Sequence, residues 1–70
     1  MTDPRPILEE GVPVYALFFN TWVPAVVRFY MPHGDEYALD TMWGQVEHIA
    51  YRMRSQIRTP EEHARAALMT

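Results

Sequence analysis

Seventy residues without a cysteine exclude a disulfide framework and a four-cysteine zinc site. Such a length bounds the chain to one domain, 1–70, whose core rarely supplies more than about 3–5 kcal/mol unless oligomerisation or a partner adds to it. A formal net charge of −3 and a pI of about 5.4 argue against a general nucleic-acid binder, because lysine and arginine contacts to phosphate dominate that affinity.

No segment reads as a secretion signal, and no apolar run is long enough to span a bilayer, so a cytoplasmic protein without membrane contact is expected. Val12–Val27 comes nearest, but Asn20, Pro13, Pro24 and a strand-like pattern speak against a membrane helix.

Met1–Pro6 contains two prolines and no periodicity, and residues 1–8 are expected to form a loose arm. Ile7–Gly11 adds a short turn, with Gly11 supplying the bend. The runs Val12–Phe18 and Val23–Tyr30 are then dense in β-branched and aromatic residues and read as an antiparallel hairpin. Pairing Phe18 with Val23 sets Ala16 against Ala25, Val14 against Val27 and Val12 against Phe29, a wholly apolar face that must be core. The other face carries Tyr15, Leu17, Val26, Pro13, Pro24 and Arg28, with Phe19 and Trp22 at the loop. In this register a four-residue loop, Phe19–Trp22, keeps both prolines off hydrogen-bonded sites, and Thr21 is a poor residue for a tight primed turn. Both prolines then blunt the ribbon's edges, so a partner is expected to meet its face.

Pro32–Asp35 breaks the strand. From Leu39 onward, Met42, Trp43, Val46, Ile49, Ala50, Met53 and Ile57 follow at helical spacing and predict one long helix, capped by Asp35 or Asp40. With Asp40 as the cap, Glu36–Leu39 forms a third strand instead. Gly44 weakens the helix by about 1 kcal/mol relative to alanine unless a neighbour packs closely there. Thr59-Pro60-Glu61-Glu62 matches a capping box and opens a short terminal helix with Ala64, Ala67 and Leu68 on one side, which has too little apolar surface to stand alone and must dock or fray. The fold class is thus α+β: a small β-hairpin, or a three-stranded antiparallel sheet, packed on one long helix, with a short C-terminal helix.

Chemistry is sparse. Glu47-His48 and Glu62-His63 are adjacent pairs that point apart on a helix, and His33 stands alone, so no metal site is expected. Ser55 is the single serine and has no activating neighbour at a local spacing. Gly11, Gly34 and Gly44 are isolated, which leaves no phosphate-cradling loop, and no cofactor is expected. A chain this short has little material for a walled pocket, so it is not expected to be an enzyme.

Two surfaces remain. One helix covers one side of a two-stranded ribbon, which leaves Tyr15, Leu17, Phe19, Trp22 and Val26, with Arg28, as the interface of a homodimer or of a larger protein target. That reading makes the chain a non-catalytic interaction module, an adaptor or inhibitor with the profile of a phage or mobile-element accessory protein. The alternative is nucleic-acid or anion binding by Arg52, Arg54 and Arg58, with Tyr30 or Trp22 stacking on bases.

Overall fold

A computed structural model describes residues 5–43 and 46–68. β1 (Pro13–Phe18) and β2 (Thr21–Met31) pair antiparallel about Phe19-Asn20. Both turn residues have positive φ, 47° and 64°, which is the geometry of a tight two-residue primed turn. The four-residue loop is therefore not formed, because Thr21 and Trp22 already face Phe18 and Leu17 within the ladder. Pairing slides by two residues from the expected register, so the faces survive: Ala16 meets Val23, and Val14 meets Ala25. With Phe18 and Thr21 flanking the turn, Pro24 opposite Tyr15 and Pro13 opposite Val26 fall at non-hydrogen-bonded positions. Neither missing N–H interrupts the β1–β2 ladder.

The long helix does not exist. In its place the chain forms β3 (Glu36–Trp43), β4 (Val46–Met53), a 3-10 turn at Arg54–Gln56 and β5 (Ile57–Arg58). The sheet is five-stranded and antiparallel, in the order β4-β3-β2-β1-β5, so the three-stranded alternative also falls short. What resembled a single helical stripe is divided between the two faces of a sheet. Leu39 and Ile57 are buried, whereas Ile49 and Met53 are half exposed. Neither aspartate caps a helix: Asp35 has φ 50° in the β2–β3 turn and accepts the Tyr30 hydroxyl at 2.7 Å, and Asp40 lies within β3. Gly44 lies outside the described residues.

Arg52 explains how the sheet closes. β4 and β1 are three positions apart, about 14 Å in a flat sheet, yet Arg52 Nε on β4 donates to the Leu17 carbonyl on β1 at 2.9 Å. Its guanidinium also lies 4.1 Å over the Phe18 ring. The 3-10 turn carries the chain from β4 at one edge to β5 at the other, which again requires a curled sheet. Val14, Ala16, Phe18, Ala25, Val27, Tyr37, Leu39 and Ile57 fill the concave side.

A bulge between Val27 and Phe29 changes which residues of β2 point inward. Tyr30 takes the inner position beside Tyr37, with ring centroids 4.9 Å apart. Phe29, expected in the core opposite Val12, is turned out and 49 % exposed.

The terminal helix, α1 (Pro60–Leu68), begins with the expected capping box. Thr59 N–H donates to Glu62 Oε1 at 2.9 Å, and Glu62 N–H donates to Thr59 Oγ1 at 3.2 Å. Its docking side differs from expectation, however: Glu62, His63 and Ala66 are half-buried, while Ala64, Ala67 and Leu68 are exposed. The described part of the arm is held in place. Leu8 N–H donates to the Tyr37 hydroxyl at 3.0 Å, and Arg5 pairs with Glu62 at 3.1 Å. Among the described residues no helix is long and apolar enough to cross a membrane.

Candidate interaction face

Directly paired residues in antiparallel strands share a face, so the register defines rows across the convex side of the sheet. One row runs Pro13, Val26, Asp40, Ile49; the next Phe29, Ala38, Tyr51; the last Met31, Glu36, Met53. Val26, Phe29, Ile49, Tyr51 and Met53 are each between 42 and 52 % exposed. Ala38, wholly buried, lies between Phe29 and Tyr51, and its methyl group forms a floor with an aromatic residue on either side. Arg28, the bulged residue, reaches Asp40 Oδ2 at 3.6 Å at the margin of this face.

At the β1–β5 end the convex side is covered. His63 of α1 stacks on Tyr15, with centroids 4.0 Å apart and planes at 18°. Arg58 lies 4.0 Å above the Trp22 ring. Thus, of the residues expected at an interface, Tyr15 and Trp22 already carry intramolecular partners, and Leu17 is half-buried opposite Trp22. Phe19 is 90 % exposed at the turn. Val26 and Arg28 belong to the bare β2–β4 face. Phe29, Ile49, Tyr51 and Met53 were missed, although the alternation Ile49-x-Tyr51-x-Met53 is a strand signal.

The three arginines do not converge. Arg52 clasps β1, and Arg58 covers Trp22. Arg54 is buried, donates to the Ile57 carbonyl at 2.7 Å and pairs with Glu62 at 2.9 Å. Burial opposes ionisation of Glu62, but the Thr59 amide and the Arg54 and Arg5 guanidinium groups together outweigh it and hold the carboxyl at about 2. The Tyr30 hydroxyl is pushed above its ordinary value, first by its hydrogen bond to Asp35, then by burial and by the charges of Asp35 and Tyr37.

A pocket of about 360 Å³ opens where the bare face meets α1. Its walls are Pro13, Tyr15, Pro24, Val26 and Pro60, with Asp40 at one side. Asp40 Oδ1 is buried and accepts no hydrogen bond. No group of three metal-ligating side chains occurs among the described residues. Comparison with family models, with curated proteins and with solved structures finds no match.

Proposed function

We propose that this chain is a non-catalytic protein–protein interaction module that docks through the convex face of β2, β3 and β4. One observation carries the reading: Val26, Phe29, Ile49, Tyr51 and Met53 lie exposed on adjoining rows of a single sheet face. Contiguous exposed apolar patches mark interaction surfaces, and aromatic side chains are their usual anchors. A second copy is the first partner we assign. β4 is the last strand in the order and brings Ile49, Tyr51 and Met53 to the sheet edge, where a two-fold arrangement buries the same residues on both sides. Such a dimer also adds to a core too small to be comfortable alone. An adaptor or inhibitor that occupies a larger protein would use the same face. Nucleic-acid binding has less behind it, since Arg52, Arg54 and Arg58 are engaged with Leu17, Glu62 and Trp22.

Sedimentation equilibrium of the wild type and of Tyr51→Asp tests this. We expect a wild-type dimer and a monomeric variant with an unchanged far-ultraviolet spectrum. A wild type that is monomeric up to millimolar concentration, or a variant that dimerises as tightly, overturns the assignment of self-association.

A further inference from the structure

We propose that β4 pairs edge to edge with β4 of a second copy, antiparallel about a two-fold axis at Ile49, so that two sheets become one. The inference deepens the interaction reading and rests on it for the partner, but it assigns the contact to backbone groups as well as to side chains. The ladder itself fixes which groups those are. Phe18 and Thr21 flank the two-residue turn as a hydrogen-bonded pair, so alternation makes Pro13–Val26 a non-hydrogen-bonded one. Val26 therefore turns its N–H and C=O toward β3, where it meets Asp40, and Asp40 in turn has neither left for Ile49. Ile49, and Tyr51 two residues on, thus direct their N–H and C=O away from β3, and among the described residues no strand lies beyond β4. Two contacts agree with this parity: Tyr51 C=O accepts from Arg52 at 2.7 Å, and Met53 N–H donates to Gln56 Oε1 at 3.1 Å.

The same two contacts mark where the edge is open. Arg52 and Gln56 close it from the Tyr51 carbonyl onward, which leaves the Ile49 N–H, the Ile49 C=O and the Tyr51 N–H facing outward. β4 has eight residues with neither a proline nor a bulge, whereas β5, at the opposite edge, has two and is too short to template a strand. Symmetry argues for a second copy. About a two-fold axis at Ile49 the N–H of each Ile49 meets the C=O of the other, and each Tyr51 N–H reaches the carbonyl at position 47 across the axis, so every donor finds an acceptor in the same sequence. The side chains agree: Ile49 and Tyr51 are uncharged and about half exposed on the convex side, and each Ile49 lies beside its counterpart with no like charges opposed. Pairing joins the two convex faces into one apolar surface and leaves only the short β5 edges at the ends, so growth stops at two.

Amide hydrogen exchange of the isotopically labelled full chain, read by magnetic resonance at rising concentration, tests this. We expect the Ile49 and Tyr51 amides to become at least about tenfold more protected as monomer passes to dimer. Ala50 and Arg52, whose N–H groups face β3, should be protected at every concentration. Total synthesis of the chain with an N-methyl group on Ile49 removes the outward donor and keeps every side chain. That variant should dimerise at least about tenfold more weakly in sedimentation equilibrium, with an unchanged far-ultraviolet spectrum. A dimer whose Ile49 and Tyr51 amides exchange as fast as in the monomer, or a methylated chain that dimerises as tightly, overturns edge pairing and leaves docking through the face intact. If the methylated chain fails to fold, the exchange pattern of the unmodified chain decides alone. A wild type that stays monomeric up to millimolar concentration overturns both readings, whereas concentration-dependent protection of Ile49 that persists in Tyr51→Asp supports the edge and removes the face.

Discussion

Replacing Glu62 by glutamine keeps its shape and an acceptor for the Thr59 amide but removes the charge that faces Arg54. Arg54 is 5 % exposed, and the pair closes at 2.9 Å, so the variant leaves a buried guanidinium without its counter-ion. Breaking such a pair costs about 3–5 kcal/mol when both groups are deep; the Glu62 side chain is 27 % exposed, which screens part of it. The carboxyl's displacement from 4.5 to about 2 gives a similar figure, roughly 3 kcal/mol. We therefore expect Glu62→Gln to lose about 2–3 kcal/mol at pH 7, most of the stability available to a chain of this size. The sign in pH follows from the direction of displacement. A carboxyl held below its unfolded value stabilises the fold above that value and loses the contribution as pH falls through 4.5 toward about 2. Urea unfolding of wild type and variant at pH 7, 4.5 and 2.5, followed by circular dichroism, should thus show a large gap at the first two. At pH 2.5 the gap should narrow to less than about 1 kcal/mol. A variant that loses under about 1 kcal/mol at pH 7, or a gap that stays constant with pH, refutes the account of Arg54 and Glu62 as the clamp that seats α1.

The β1–β2 turn offers a gain instead of a loss. Phe19 and Asn20 both have positive φ, and a left-handed conformation costs a residue like phenylalanine about 1–2 kcal/mol. Phe19→Asn combined with Asn20→Gly should therefore raise the thermal midpoint, and an unchanged or lower midpoint contradicts the two-residue turn. Tyrosine ionisation, read by ultraviolet difference absorbance, provides an independent check on the β2–β3 turn. Tyr30 should titrate above the ordinary tyrosine range, and Asp35→Asn, which tolerates the same backbone, should bring it back down. No change on substitution means that Asp35 is not its partner.

The parts legible in the sequence are those set by local chemistry. Thr59, Pro60 and Glu62 specify a helix start within four residues, and that box forms as read. The hairpin's composition marked its strands, and alternation placed Val14, Ala16 and Phe18 inside. Its register was not legible, because it turned on whether a phenylalanine would accept positive φ, and nothing adjacent in the sequence answers that. The bulge at Arg28 was equally hidden: one unpaired residue sends Phe29 outward and Tyr30 inward, and it arises from how β2 meets β3. Of the candidate face, Val26 and Arg28 were picked out from the hairpin alone. Ile49 and Met53 fit a helix's buried stripe in the sequence, and that spacing hides their place on a surface. The contact of Arg52 with the Leu17 carbonyl joins residues 35 apart and depends on the curl of the whole sheet, whereas in the sequence Arg52 belongs to a basic cluster.

The misread helix and the proposed function share one cause. A half-buried strand normally announces itself by polar residues at alternate positions, which point to water. In β4 the outward positions 49, 51 and 53 hold isoleucine, tyrosine and methionine, while the inward ones include Ala50 and the clasping Arg52. The two-residue period of Ile49, Tyr51 and Met53 is present, but it marks the outward side, and combining Leu39, Ile49, Ala50, Met53 and Ile57 yields a competing, false helical spacing. A strand with polar residues at its outward positions offers no apolar side chain at 49 or 53 for that helical spacing. Substituting Ile49 and Met53 by threonine would restore that alternation while preserving or improving strand preference at Ile49, so such a variant should retain the fold and lose the proposed docking affinity. It separates the demand of the fold, which needs the concave side apolar, from the demand of the proposed docking.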